Sequence, residues 1–177
     1  MPDDKIDILK NAIRDIPDFP QKGIIFKDIT TILKDSGLYA DAVDVMSEAI
    51  SGNSFDTIVA IEARGFIFGA AMAYKLKKNF VPIRKPGKLP AETVSEEYQL
   101  EYGTDRVEMH RDAVREGMNV VLVDDLLATG GTALAAAKLI EKLGGNIVTV
   151  LFLVELAFLN GRELLKNYNV NSLIVYK

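Results

Sequence analysis

Asp124 and Asp125 stand side by side at the end of an apolar run, in the segment Val120-Val121-Leu122-Val123-Asp124-Asp125-Leu126-Leu127-Ala128-Thr129-Gly130-Gly131-Thr132. The run reads as a buried strand and the residues from Thr132 as a helix. The acids therefore mark a strand's carboxyl end, where open parallel sheets gather their chemistry. Gly130 and Gly131 let the main chain come close to an anion, and the helix's first turn offers unpaired N–H groups and a positive dipole end. Thr129 and Thr132 add hydroxyl donors. This is a cradle for phosphate, yet two carboxylates a few residues upstream would repel one, so the ligand must have two unlike ends. A ribose 5-phosphate meets both demands, with its phosphate in the glycine loop and its 2- and 3-hydroxyls donating to Asp124 and Asp125. The lysine-bearing G-x-x-x-x-G-K-[ST] order is absent, as is G-x-G-x-x-G, so neither a P-loop nor a dinucleotide fingerprint is present. A bare glycine-threonine string would read as a capped, solvated turn. The acid pair directly behind a buried strand favours function.

Cations are the second source of chemistry. Arg84, Lys85 and Lys88 cluster at a strand end beside a loop punctuated by Pro86, Gly87 and Pro90, a charge match for pyrophosphate in a chain that is acidic as a whole. Ala63-Arg64-Gly65 follows an apolar run and opens a helix, so main-chain donors and the Arg64 guanidinium could hold an anion there. By residue type alone that turn serves a strand-to-helix connection as readily as a ligand. His110, the one histidine, has no partner in the sequence and is read as a surface or hairpin residue rather than an acid or base.

The elements that must position these groups follow from periodicity. Apolar runs at 57–61, 80–84, 119–123, 147–154 and 172–176 read as strands, and segments 5–13, 38–50, 65–76, 132–143 and 161–166 as helices. Strand and helix alternate from Thr57 onward, which predicts an α/β fold with a mainly parallel central sheet and helices on both faces. Residues 17–31 and 85–112 fall outside the alternation; the second reads as a hairpin turning at Gly103 to Asp105. Ile29, Ile32 and Leu33 either form an exposed apolar dimer face or fill the monomer's core.

With 177 residues, 49% of them apolar, and no dividing linker, the sequence suits one domain. A net charge of -4 argues against a general nucleic-acid binder. No apolar run approaches the roughly 20 residues of a membrane span. The absence of cysteine and the polar first ten residues point to the cytoplasm.

The thirteen residues Val120 to Thr132 closely resemble the phosphoribosyl pyrophosphate motif of the type I phosphoribosyltransferase family. Gly23-Ile24-Ile25-Phe26-Lys27-Asp28-Ile29, Ala63-Arg64-Gly65-Phe66, Arg84-Lys85-Pro86-Gly87-Lys88-Leu89-Pro90 and Leu100-Glu101-Tyr102-Gly103 resemble the set peculiar to its adenine-using branch. The likeness runs almost end to end. It implies a pentosyl transfer of purine salvage, in which phosphoribosyl pyrophosphate and adenine give AMP and pyrophosphate. It also implies Mg2+ arriving with the substrate rather than in a resident metal site, and a homodimer.

By the same resemblance, residues 1–34 form an N-terminal hood in which Phe26 stacks on the base while the main chain of Ile25 and Lys27 bonds its edge. Residues 85–112 form a flexible loop that closes over the reacting centre. Ala63 and Arg64 bind pyrophosphate, often through a non-proline cis peptide, and Arg64 shares the leaving-group charge with Arg84, Lys85 and Lys88. Glu101 handles the base's proton, Tyr102 belongs to the substrate-binding set, and Ala128, Thr129, Gly130, Gly131 and Thr132 hold the 5-phosphate. Lys27 stands where arginine is frequent in the family, an exchange that main-chain recognition of the base tolerates. Two rivals are a phosphoribosyltransferase for 6-oxopurines, with a different base pocket, and a regulatory module that binds phosphoribosyl pyrophosphate without catalysis. The regulatory type usually carries an added DNA-binding domain, for which the sequence has no counterpart.

Overall fold

The structure, a computed structural model, describes residues 2–100 and 103–177. Two short strands, β1 (Arg14–Pro17) and β2 (Ile25–Asp28), follow helix α1 (Pro2–Ala12) and pair antiparallel. The turn α2 (Thr30–Leu33) leads to α3 (Ser36–Glu48), which is capped where the Asp35 carboxylate accepts from Gly37 N and Leu38 N. Then come β3 (Thr57–Ile61), α4 (Arg64–Leu76) and β4 (Asn79–Ile83), and a hairpin of β5 (Thr93–Leu100) and β6 (Gly103–His110). The chain continues through β7 (Asn119–Leu127), α5 (Gly131–Lys142) and β8 (Asn146–Leu156), then two 3-10 turns, Ala157–Leu159 and Gly161–Leu165, and β9 (Val170–Tyr176).

The main sheet has the order β4-β3-β7-β8-β9, and each neighbouring pair is parallel. The inner strands β3, β7 and β8 are mostly apolar on both sides because both faces are covered. Val121, Val123, Leu151 and Leu153 pack with Leu9, Met46, Phe68 and Met72 of α1, α3 and α4. On the other face Val120, Leu122, Val150 and Phe152 meet Ala136, Leu139 and Ile140 of α5, together with Val94, Val107 and Met109 of the hairpin. The hairpin thus fills a place that alternation alone would give to a helix.

Four expectations change in detail. Gly103, Thr104 and Asp105 are strand residues paired with Leu100, Gln99 and Tyr98, not the turn, because the ladder continues to the end of both strands. Residues 161–166 do not form an α-helix: Asn160 takes a left-handed conformation (φ 54°) and is followed by the 3-10 turn Gly161–Leu165. β7 does not stop before its acids; Asp124, Leu126 and Leu127 keep pairing with β8 after β3 has ended its pairing at Val123. Ile29 and Ile32 are 2% and 0% exposed and belong to the core with the partly buried Leu33, so a dimer must use other residues.

The β1–β2 strand pair is tied down by charge. Arg14 Nη2 donates to Asp28 Oδ2 at 2.5 Å, and Asp28 Oδ1 accepts from Thr30 N at 2.9 Å. Arg14 and then Thr30 hold the Asp28 carboxyl down at about 2. A carboxyl lowered on folding stabilises above its ordinary value and loses that contribution as pH falls through its folded value. Asp28→Asn should therefore cost about 1 kcal/mol at pH 7, a figure discounted for the half-exposed Arg14. Urea midpoints should show the gap to the parent closing between pH 4 and pH 2; a gap independent of pH would contradict this assignment.

Candidate active site

Where β3 stops, β7 runs on, and the gap above the shorter strand becomes a cleft of about 450 Å3. Its walls include Glu62, Ala63 and Arg64 after β3, Arg84 and Lys85 after β4, Tyr98 and Val107 of the hairpin, and Asp124, Asp125, Leu126, Ala128 and Thr132. These are carboxyl ends of parallel strands, the place where such sheets leave a crevice.

The acids are held in an unusual state. Asp125 is 4% exposed, and its Oδ2 lies 2.7 Å from Arg64 Nε, a charge contact not aligned as a hydrogen bond. Asp125 N donates to Asp124 Oδ1 at 2.9 Å. Burial, and then the neighbouring Asp125 charge, push the Asp124 carboxyl well above its ordinary value. Burial also raises Asp125, against the pull of Arg64. Both therefore gain from a ligand that donates hydrogen bonds or brings positive charge.

The cations are already engaged. Arg84 makes a two-point contact with Glu62, Nε to Oε2 at 3.1 Å and Nη2 to Oε1 at 3.2 Å, and Glu62 Oε2 also accepts from Lys85 N at 2.9 Å. Burial would raise Glu62, but Arg84 and the Lys85 amide outweigh it and leave the carboxyl lowered. Lys85 Nζ reaches Asp105 and also Tyr98 OH, the latter at 2.9 Å. Lys88 is exposed and outside the cleft wall; its carbonyl accepts from Arg84 Nη1 at 3.1 Å. The peptide Glu62–Ala63 is cis.

Beside the acids, residues Leu126 to Ala133 enclose a cup of about 80 Å3 that Asp124 also lines. Gly130 has φ +84°, and α5 starts at Gly131, so first-turn N–H groups without helical partners converge there. A third space of about 460 Å3, mostly apolar, lies between the β1–β2 strand pair and the end of β8, lined by Ile25, Lys27, Thr129, Leu156, Phe158, Leu159 and Tyr176 among others. Thr129 belongs to both cup and pocket. Phe26 stands nearby, its ring centre 5.5 Å from the Arg64 guanidinium. The Lys27 ammonium turns aside, to Asp15 Oδ1 at 2.6 Å and over the Tyr176 ring at 4.1 Å.

The structure thus gathers Arg64, Arg84, Lys85, Asp124, Asp125 and the 128–132 loop, with Ile25, Phe26 and Lys27 alongside. Glu101 and Tyr102 lie outside the described residues. Sequence reasoning missed Glu62, Asp105, Tyr98, Phe158 and Leu159. Glu62 carried a signal, since it directly follows an apolar run as Asp124 does, and the same rule points to the residues after β8. Asp105 gave none, because its partner is twenty residues away. Among the described residues no three acidic or histidine side chains converge on one point as a metal cage would require.

A family model for the phosphoribosyl transferase domain matches residues 29–174, and the chain belongs to that family. The adenine phosphoribosyltransferase of Thermotoga neapolitana is 61% identical over 168 residues, covering 95% of this chain and 99% of that protein. A crystal structure of the adenine phosphoribosyltransferase of Thermoanaerobacter pseudethanolicus superposes with a TM-score of 0.94 at 57% identity, covering 97% of this chain and 99% of that one. The Saccharomyces cerevisiae enzyme of the same name, complexed with an imino-altritol bisphosphate and adenine, gives 0.92 at 41% identity over 97% and 99% of the two chains. Within the family, the branch is that of the adenine phosphoribosyltransferases.

Proposed function

We propose that this chain transfers the phosphoribosyl group of phosphoribosyl pyrophosphate to adenine, giving AMP and pyrophosphate. The observation that carries the reading is the shape of the site. An acid pair stands between a cationic cleft and an anion cup, with an apolar pocket sharing a wall with the cup.

In the reaction N9 of adenine bonds to C1 of the ribose, the bond from C1 to the pyrophosphate oxygen breaks, and the N9 proton must leave. The 5-phosphate occupies the cup, and Asp124 and Asp125 accept from the ribose hydroxyls, fixing the sugar so that its developing positive charge lies near carboxylates. Ala63, Arg64, Arg84 and Lys85 take the leaving pyrophosphate, and Lys88 joins them from the loop. Phe26 stacks on the base, and the main chain of Ile25 and Lys27 bonds its edge; with the Lys27 ammonium held by Asp15 and Tyr176, that recognition needs no charge. Glu101 receives the proton, with Tyr102 beside it in the substrate-binding set.

The adjacent carboxylates of Asp124 and Asp125 offer the oxygen donors that Mg2+ takes, so they would hold an ion that travels with the substrate once Arg64, 2.7 Å from Asp125 Oδ2, turns to the pyrophosphate. Bound there, the ion would neutralise pyrophosphate charge. A cytoplasmic location belongs to the same reading, since the phosphorylated substrate does not cross a bilayer; no helix among the described residues is long and apolar enough to span one.

Incubating the protein with phosphoribosyl pyrophosphate, Mg2+ and each purine base in turn tests the assignment. AMP should form from adenine, with little or no product from hypoxanthine or guanine. Inactivity with every base, or preference for hypoxanthine, would contradict it.

The paired cations make a smaller prediction. Asp105 occupies Lys85 until pyrophosphate claims it, and a partly exposed pair of this kind is worth about 1 kcal/mol. Asp105→Asn should accordingly lower the KM for phosphoribosyl pyrophosphate by about two- to fivefold. A raised KM in steady-state kinetics would mean instead that Asp105 aims the lysine.

A further inference from the structure

The carboxyl end of β8 holds a buried charge that the reaction does not use. Glu155 is 4% exposed, and both its oxygens accept from Arg162 Nε, at 2.8 and 2.9 Å. Arg162 Nη2 lies 2.7 Å from Oε2, and the guanidinium also donates to Val170 O at 3.0 Å and to Ser172 Oγ at 3.3 Å. Every side of the pair is therefore met. A buried ion pair is weak evidence for stability, because desolvation offsets most of the attraction. Its value lies in what it fixes.

Two contacts say what that is. In the sheet Glu155 sits opposite Leu127, the last residue of β7, immediately before the loop. Arg162 follows Gly161, whose main chain lies hard against that loop. A Cβ on Gly161 would stand 2.2 Å from Ala128 O, and one on Gly130 would stand 2.5 Å from Gly161 O. Neither neighbour is a side chain that can swing away, so the loop's path is set by where the 3-10 segment rests. Phe158 and Leu159, just upstream, wall the apolar pocket together with Thr129.

We propose that Glu155 and Arg162 form a positioning pair for sugar-phosphate binding, pinning Gly161 beneath residues 128–130 so that the loop's amides stay aimed at the 5-phosphate. The proposal rests on the reading of that loop as the phosphate cradle. Because the 5-phosphate is held alike before and during the reaction, a loosened clasp should weaken sugar-phosphate binding and kcat/KM while leaving turnover nearly unchanged.

The test uses the full chain and the variants Arg162→Lys, Arg162→Gln, Glu155→Gln and Thr132→Ala, with Ile50→Val as a core variant that lowers stability away from the site. KM for phosphoribosyl pyrophosphate, KM for adenine, kcat and AMP affinity by calorimetry are measured at a temperature where each variant is folded. Arg162→Gln and Glu155→Gln should raise the KM for phosphoribosyl pyrophosphate and the Kd of AMP about tenfold or more, with kcat changed less than about twofold. Arg162→Lys, which keeps the charge but loses the two-point grip, should fall between them and the parent. If Arg162→Gln does not fold, the lysine and Glu155→Gln variants decide. Binding as good as that of Ile50→Val at similar melting temperatures, while Thr132→Ala binds weakly, would overturn the inference and leave the cradle standing. Unchanged binding in Thr132→Ala would overturn both.

Discussion

Asp124→Asn should make the free protein more stable and nearly inactive. The carboxylate of Asp124 is forced against a second, buried carboxylate, and burial followed by that neighbouring charge drives its proton affinity up. The amide keeps an oxygen for the 2.9 Å bond from Asp125 N, so the change removes charge with little loss of contact. A gain of about 1 kcal/mol is expected, raising the melting temperature by about 2–4 °C. The sign with pH follows from linkage. An acid whose folded pKa is raised carries a penalty that is absent below the ordinary carboxylate pKa and complete above the raised one. The gap between variant and parent should therefore close on acidification. Activity moves the other way: kcat/KM for phosphoribosyl pyrophosphate should fall about a hundred- to thousandfold, the usual cost of removing one preorganised electrostatic group. Glu101→Gln provides the contrast, expected to keep AMP affinity and lower only turnover. A less stable Asp124→Asn protein with near-parental activity would show that the acid pair serves the fold.

Gly130→Ala should damage both stability and binding. Gly130 holds φ +84°, a region in which a side chain costs roughly 1 kcal/mol. Its Cβ would also sit 2.5 Å from Gly161 O, a main-chain atom that cannot rotate away. Together these should cost about 2–3 kcal/mol of stability. AMP affinity should fall about tenfold or more, because the loop has to leave the path that forms the cup. Thermal unfolding with calorimetric AMP titration checks the pair of effects. A destabilised protein that binds AMP as the parent does would detach the loop from phosphate recognition. Asp124→Asn and Gly130→Ala move stability in opposite directions while both weaken the site, which separates function from folding.

Much of this was legible in the chain. The strand, acid pair, glycine loop and helix of residues 120–132 could be read because the apolar period, the acids and the glycines all point the same way. The extension of β7 to Leu127 could not, since adjacent aspartates read as a strand's end; pairing with β8 alone carries the strand on. Ile29 and Ile32 were plainly apolar, but whether they met a partner or the core depended on how the end of β2 and α2 fold back onto α3. Glu62 and Arg84 are 22 residues apart, and Gly161 meets a loop some thirty residues earlier in the chain. Such contacts follow from topology and leave no local period. The apolar pocket was half visible, Ile25 and Lys27 from the β1–β2 strand pair but not Phe158 and Leu159 from the turn after β8.

The most direct measurement is a crystal structure of the chain with AMP bound. The phosphate is expected in the cup of residues 128–132, the ribose hydroxyls on Asp124 and Asp125, and the adenine between Phe26 and Leu159. Phosphate seated against Arg84 and Lys85 with the cup empty, or a nucleotide bound away from the acid pair, would contradict it.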